Sequence, residues 1–206
     1  MDDARPGRRA IVYLHGFLSS PRSRKATMLG DYVRNLASDV AYVVPELHHR
    51  PRAAIAQVGQ ACEPYAPRDL TLVGSSLGGY YATVMAERLG CRAALLNPAV
   101  HPHRHFARYL GPQRNLYTGE AFDLTVEHIG ELMAMDPPAI TRPGRYWLFV
   151  ETGDEVLDYR EAVAFYAGAC QTVVQGGDHA LASFPEHVPD IVAWAREPAG
   201  AEGAVP

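Results

Sequence analysis

The 206-residue sequence is short of cysteine, of long apolar runs and of basic charge, and each shortage removes a class of protein. Cys62, Cys91 and Cys170 are an odd, scattered set with no C-x-x-C pair, which excludes a disulfide-stapled secreted scaffold and reads as three free thiols. The first apolar run, Ala10 to Leu14, is too short for a signal-peptide core or a membrane span, so a cytoplasmic location with no membrane partner is expected. Nineteen Lys and Arg stand against 23 Asp and Glu, a formal charge of -4, with no basic stripe to neutralise a phosphate backbone. Nucleic acid is therefore not an expected partner, and the oligomeric state is left open.

What is present is the composition of a packed domain, with 48% apolar and 20% charged residues. The length suits a single domain over 1–206, with the tails 1–9 and 197–206 expected to be flexible. Short apolar runs at 10–14, 41–44, 70–73, 93–96, 146–150 and 170–174 are rich in Val, Leu, Ile or aromatic residues, as in strands buried on both faces. Amphipathic stretches near 23–37, 52–63, 77–89, 158–167 and 185–195 alternate with them and predict helices. The alternation predicts an α/β fold, a mostly parallel sheet of about six strands with helices on both faces. Residues 98–144 show no strand-like run but are too long for a bare loop. Thr125 is placed to cap a helix carrying Val126, Ile129, Leu132 and Met133, so the segment reads as a small inserted lid.

Gly74-Ser75-Ser76-Leu77-Gly78 follows the strand-like LTLV and precedes the helical YYATVMAERLG. A G-x-S-x-G in that context is the nucleophile elbow of α/β-hydrolases, a sharp turn that exposes the central hydroxyl, here Ser76. Ser75 sits at the variable position and reads as a turn residue, and Gly79 as a position of close helix packing. A serine hydroxyl needs a base to take its proton, and the base needs an orienting acid. In this fold the acid follows a later strand and the histidine comes last. Asp154 occupies the loop after YWLFV, with Glu155 and Asp158 as alternatives that are more simply helix-starting residues. His179, in QGGDHALASF, is the base candidate, and Asp178 beside it reads as a turn residue.

Leu14-His15-Gly16-Phe17 closes the first strand in the manner of an oxyanion loop, which nominates the backbone N–H groups of Phe17 and Leu77 as donors. Phe106, Tyr109, Leu110 and Tyr117 in the lid segment are candidates for an apolar substrate pocket. His101, His103 and His105 alternate in HPHRH but lack the carboxylate or cysteine partners of a known metal motif, so no metal site is assigned. His48 and His49 read as solvated or pocket-lining, and His128 and His187 as surface residues of helices.

LHGF, GSSLGGYYA, LNPAV, LYTGE, TGDEVLDY and GGDH, in this order and spacing, resemble the YqiA-like esterases, a compact branch of the α/β-hydrolase superfamily. The resemblance runs from about Ile11 to Trp194. It implies hydrolysis of carboxylic esters by Ser76, His179 and Asp154 without a cofactor, and a core that lacks the first two antiparallel strands of larger hydrolases; short to medium acyl chains are the expected substrates, with the chain-length preference left open. A thioesterase or an acyltransferase on the same triad is the alternative within this chemistry. A hydrolase-fold protein that binds a small ligand without turnover is the alternative outside it.

Overall fold

The computed structural model describes residues 8–198. Most of the two tails expected to be flexible therefore lies outside the described residues. Their inner ends are tied down: the Arg9 carbonyl accepts from the Ala41 N–H at 2.8 Å, and the Arg92 guanidinium donates to the carbonyls of Glu197 at 3.1 Å and Pro198 at 3.0 Å.

The chain runs β1 (Ala10–Leu14), α1 (Arg24–Leu36), β2 (Ala41–Val43), α2 (Pro51–Cys62), β3 (Leu70–Ser75), α3 (Leu77–Leu89) and β4 (Arg92–Leu96). A long excursion follows, containing β5 (Gly111–Arg114), β6 (Ala121–Leu124) and α4 (Val126–Met135). The chain then completes the sheet with β7 (Tyr146–Glu151), α5 (Tyr159–Phe165) and β8 (Cys170–Val174), and ends on α6 (Phe184–Arg196). Six strands form one parallel sheet in the order β2-β1-β3-β4-β7-β8. The expected α/β fold is thus present.

Alternate side chains of these strands enter two cores. Val12, Leu72, Leu95 and Leu148 pack against α2, α3 and α5, while Ile11, Val73, Ala94 and Phe149 pack against α1 and α6. Both faces are covered, which is why the strands read as continuous apolar runs rather than alternating ones. Each fully buried Leu or Phe contributes roughly 1.5–3 kcal/mol of transfer free energy, so the sheet is a rigid platform for whatever its loops carry. The strand order reverses between β1 and β3. The crevice beyond their C-terminal ends is the place where open α/β sheets bind ligands.

The 98–144 segment departs from expectation in two ways. It contains an antiparallel ladder, β5 with β6, whose GPQR and AFDL sequences are too short and too polar to stand out as strands. Its helix is capped as expected, but by a reciprocal box in which the Thr125 N–H donates to His128 Nδ1 at 3.1 Å. The inward line of α4 runs through His128 and Leu132, one turn apart, and Val126 and Met133 point outward at 65% and 62% exposure. His128 is thereby buried rather than superficial. His187 is half-buried, with its ring 5.0 Å from that of Phe149.

The three cysteines are unpaired, and burial pushes the Cys62 and Cys91 thiols up to about 12, which makes them inert packing residues. No helix among the described residues is long and apolar enough to cross a membrane.

Candidate active site

Ser76 stands between the last residue of β3 and the first of α3, with φ 54° and ψ -121°. That conformation is costly for a residue with a side chain, and it persists because the surroundings leave no other. A Cβ on Gly74 would lie 2.7 Å from Gly79 Cα, and one on Gly78 would lie 2.6 Å from the His15 carbonyl oxygen. The two motif glycines are thus required by backbone running against backbone at the β1–β3 crevice. The Ser76 N–H donates to the Leu96 carbonyl at 3.0 Å, which anchors the turn to β4 as well. Gly79 packs against Pro98, where a Cβ would come within 2.7 Å of the ring.

His179, in the loop between β8 and α6, brings Nε2 to 3.0 Å from Ser76 Oγ. Its Nδ1 lies 2.8 Å from Asp154 Oδ2 and 3.0 Å from Oδ1. Asp154 follows β7 with its side chain almost fully buried, and its Oδ1 accepts the N–H groups of Val156 and Leu157, both at 2.9 Å. Burial opposes its charge, but the bonds from His179 and from those two amides outweigh burial and hold the carboxyl below its ordinary value. An ionised Asp154 accepts a hydrogen bond from Nδ1–H, which leaves Nε2 as the acceptor facing Ser76. The rival acids have other work: Glu155 accepts the His179 backbone N–H at 3.0 Å, and Asp158 caps α5 by accepting from the Arg160 N–H at 3.0 Å.

Two residues behind this line were missed by the sequence reading. Glu151, the last residue of β7, is 1% exposed and accepts the N–H groups of Asp178 at 2.7 Å, Ala182 at 3.0 Å and Ser183 at 2.7 Å. Burial opposes its charge too, and the converging amides outweigh burial and keep its pKa low. Asn97 accepts the Glu151 N–H at 3.0 Å through its side-chain oxygen and donates to the carbonyls of Asp178 at 3.0 Å and His179 at 3.3 Å. Together they fix both ends of the His179 loop to the sheet. The available signals were a glutamate closing a strand buried on both faces, and an asparagine at the matching end of β4 within LNPAV.

The 14–17 turn presses on the elbow, since a Cβ on Gly16 would lie 3.3 Å from Ser76 Cβ. His15 is buried and structural: its Nε2 accepts the Leu47 N–H at 3.2 Å, and burial pushes its pKa down. Neither the Phe17 nor the Leu77 N–H meets a hydrogen-bond acceptor among the described residues, and both residues border the space beside Ser76. Phe106 and Tyr109 line that apolar space, with ring centroids 5.1 and 5.7 Å from Phe17. Tyr117 instead lines a wider cleft of mixed polar and apolar lining that meets the first space at Phe17 and Ser76, and Leu110 borders neither. Leu110 ends the short helical turn before β5 and is 44% exposed there.

Several histidines outside this line are tethers. His101 Nδ1 lies 2.5 Å and His103 Nδ1 3.5 Å from Asp136 Oδ2, at the end of α4. His49 Nδ1 lies 3.1 Å from His128 Nε2. No group of three or more His, Cys, Asp or Glu among the described residues is arranged to hold a metal ion.

A family model described as an uncharacterised protein family, UPF0227, matches residues 10–196. A UPF0227 protein of Serratia proteamaculans (strain 568) is 25% identical over 96 residues, covering 46% of this chain and 53% of the relative. The chain thus spans about half the length of the curated relative it matches. The fold is shared with mouse alpha/beta hydrolase domain-containing protein 10, at TM-score 0.71 and 16% identity over 92% of this chain and 90% of that one. It is shared as well with the esterase domain of a Rhodothermus marinus protein, at TM-score 0.64 and 19% identity over 96% and 90%. Likeness at such identities concerns the fold alone, and the fold is that of an α/β hydrolase.

Proposed function

The chain belongs to the UPF0227 family, the YqiA-like group that its motifs resemble, and from that premise we propose that it is a serine hydrolase of small carboxylic esters with short to medium acyl chains. The observation that carries this reading is the line of hydrogen bonds from Asp154 through His179 to Ser76, no longer than 3.0 Å, at a strained strand-to-helix elbow.

In the proposed reaction His179 Nε2 takes the proton of Ser76 as Oγ attacks the ester carbonyl carbon. The carbonyl π pair moves onto oxygen, and the Phe17 and Leu77 N–H groups stabilise the resulting oxyanion. Collapse breaks the bond to the alkoxy oxygen, which leaves as the alcohol with the proton from His179. Water, deprotonated by His179, then attacks the acyl-enzyme and releases the acid and free Ser76. Asp154 fixes the ring tautomer and stabilises the imidazolium. The apolar space bounded by Phe17, Phe106 and Tyr109 suits a hydrocarbon part of the substrate.

The test is labelling of the wild type and Ser76→Ala by a fluorophosphonate, with 4-nitrophenyl butyrate turnover followed in parallel. Labelling is expected to disappear in the variant and turnover to fall by roughly four to six orders of magnitude. A folded wild type that neither labels nor turns over would overturn the esterase and favour a ligand-binding protein. Faster turnover of butyryl-CoA than of the oxygen ester would shift the substrate to thioesters.

A further inference from the structure

Ser76 opens onto two spaces, one apolar and one of mixed lining. One is the apolar pocket at Phe106 and Tyr109, and the other is a wider cleft, shared with His179, that reaches the start of α1 at Ser23, Arg24 and Lys25. Arg24 and Lys25 are adjacent cations, and neither has a carboxylate within ion-pair distance among the described residues. Lys25 Nζ donates to the Ala180 carbonyl at 2.6 Å, beside His179, and an ammonium has two further protons to give. Burial lowers its pKa to about 8, so at neutral pH a desolvated cation is kept beside the reacting residues.

The helix behind it reinforces the positive potential. The 13-residue α1 has no acidic residue in its first turn and no side-chain cap, so its leading N–H groups and positive dipole end lack the usual anionic complement. Ser23 lines the cleft, 9% exposed as a residue, and its buried Oγ has no hydrogen-bond partner among the described residues. The acids facing Lys25 come from the His179 side: Asp178, Glu151 and Asp154 favour its charge without reaching ion-pair distance, and Glu155 accepts the His179 N–H. An uncapped helix start, an unpartnered hydroxyl and a desolvated lysine are what an oxyanion completes.

Resting on the esterase reading, we propose that this end of the cleft is an anion subsite, so that the substrate is an ester joining a compact apolar group to a part that bears a carboxylate or phosphate, with Lys25 as the specificity-determining contact. The apolar half fills the pocket at Phe106, and the anionic half lies towards α1.

The test uses binding, which does not depend on turnover. Ser76→Ala protein is titrated calorimetrically at pH 7 with 4-(butanoyloxy)benzoate, the corresponding phenyl phosphate and the neutral benzamide. At least one anionic ester is expected to bind tenfold or more tightly than the benzamide, and which of the two binds better distinguishes carboxylate from phosphate. Adding Lys25→Met should reduce the preference to less than twofold, whereas Lys25→Arg should retain it. Equal affinity for all three ligands, binding of none, or a preference that survives Lys25→Met each overturns the subsite. Loss of the esterase reading appears separately, as a wild type that does not label or turn over.

Discussion

Gly177 is a glycine because Glu151 occupies its side-chain space: a Cβ there would collide with Glu151 Oε2, and the backbone φ of +71° disfavours any other residue. A buried carboxylate and a bare stretch of chain fit one another two residues before His179. The contact explains how a loop rich in glycine holds a histidine to within 3.0 Å of Ser76.

Glu151→Gln tests this support. Gln presents one amide N–H₂ where a carboxylate oxygen now faces a backbone N–H, so at least one of the three bonds is replaced by a donor–donor clash. We expect kcat to fall by about ten- to a hundredfold with KM little changed, and the pH–rate profile to shift because the His179 ring is less firmly held. An unaltered kcat and profile would limit Glu151 to a purely structural role.

The elbow carries a separable cost. Replacing Ser76 by Gly relieves its strained φ of 54°, whereas Ser76→Ala does not. Both variants should be inactive, but Ser76→Gly should be more stable than Ser76→Ala by about 1 kcal/mol in urea unfolding. Equal stabilities would mean that the turn is not strained.

Asp154 links stability to acid. Its folded pKa lies below the ordinary carboxylate value of about 3.9, so the stability it contributes is present in full above that value and is lost as pH falls through its folded pKa. The stability gap between the wild type and Asp154→Asn should therefore narrow from neutral pH towards pH 3, measured by urea unfolding at each pH. At neutral pH the same variant should reduce kcat by about 10⁴-fold through the wrong His179 tautomer.

The pair of half-buried His49 and buried His128 predicts a second acid sensitivity. His128 Nδ1 accepts the Thr125 N–H, so protonation there breaks the cap of α4. Burial lowers the pKa of both rings, and each therefore stabilises the fold fully above the unfolded histidine value of about 6.5 and loses that contribution as pH falls. Amide exchange in 126–135, corrected for intrinsic rates, should accelerate between pH 7.5 and 5.5. His128→Gln should flatten that dependence.

The local parts of this protein were legible from neighbouring residues alone. The strand LTLV, the G-x-S-x-G and the helix after it are consecutive, so one stretch of sequence contains both the strained turn and the glycines that permit it. The strands were equally plain because burial on both faces demands unbroken apolar runs. Asp154 and His179 were legible by order, since each follows a strand end on the same side of a parallel sheet, but their 2.8 Å contact is made across 25 residues.

What tertiary structure alone decided is the set of groups whose partners are distant in the chain. Glu151 meets amides 27 to 32 residues later, and Asn97 meets carbonyls 81 and 82 residues later, so nothing beside either residue marks its use. His128 reads as a surface position until the 48–50 loop closes over it, and Leu110 reads as pocket lining until its turn directs it outward. Hydrophobic period and turn chemistry are short-range and are written in consecutive residues. Polar satisfaction in a folded core is long-range, and it is set by which strand ends the sheet places side by side.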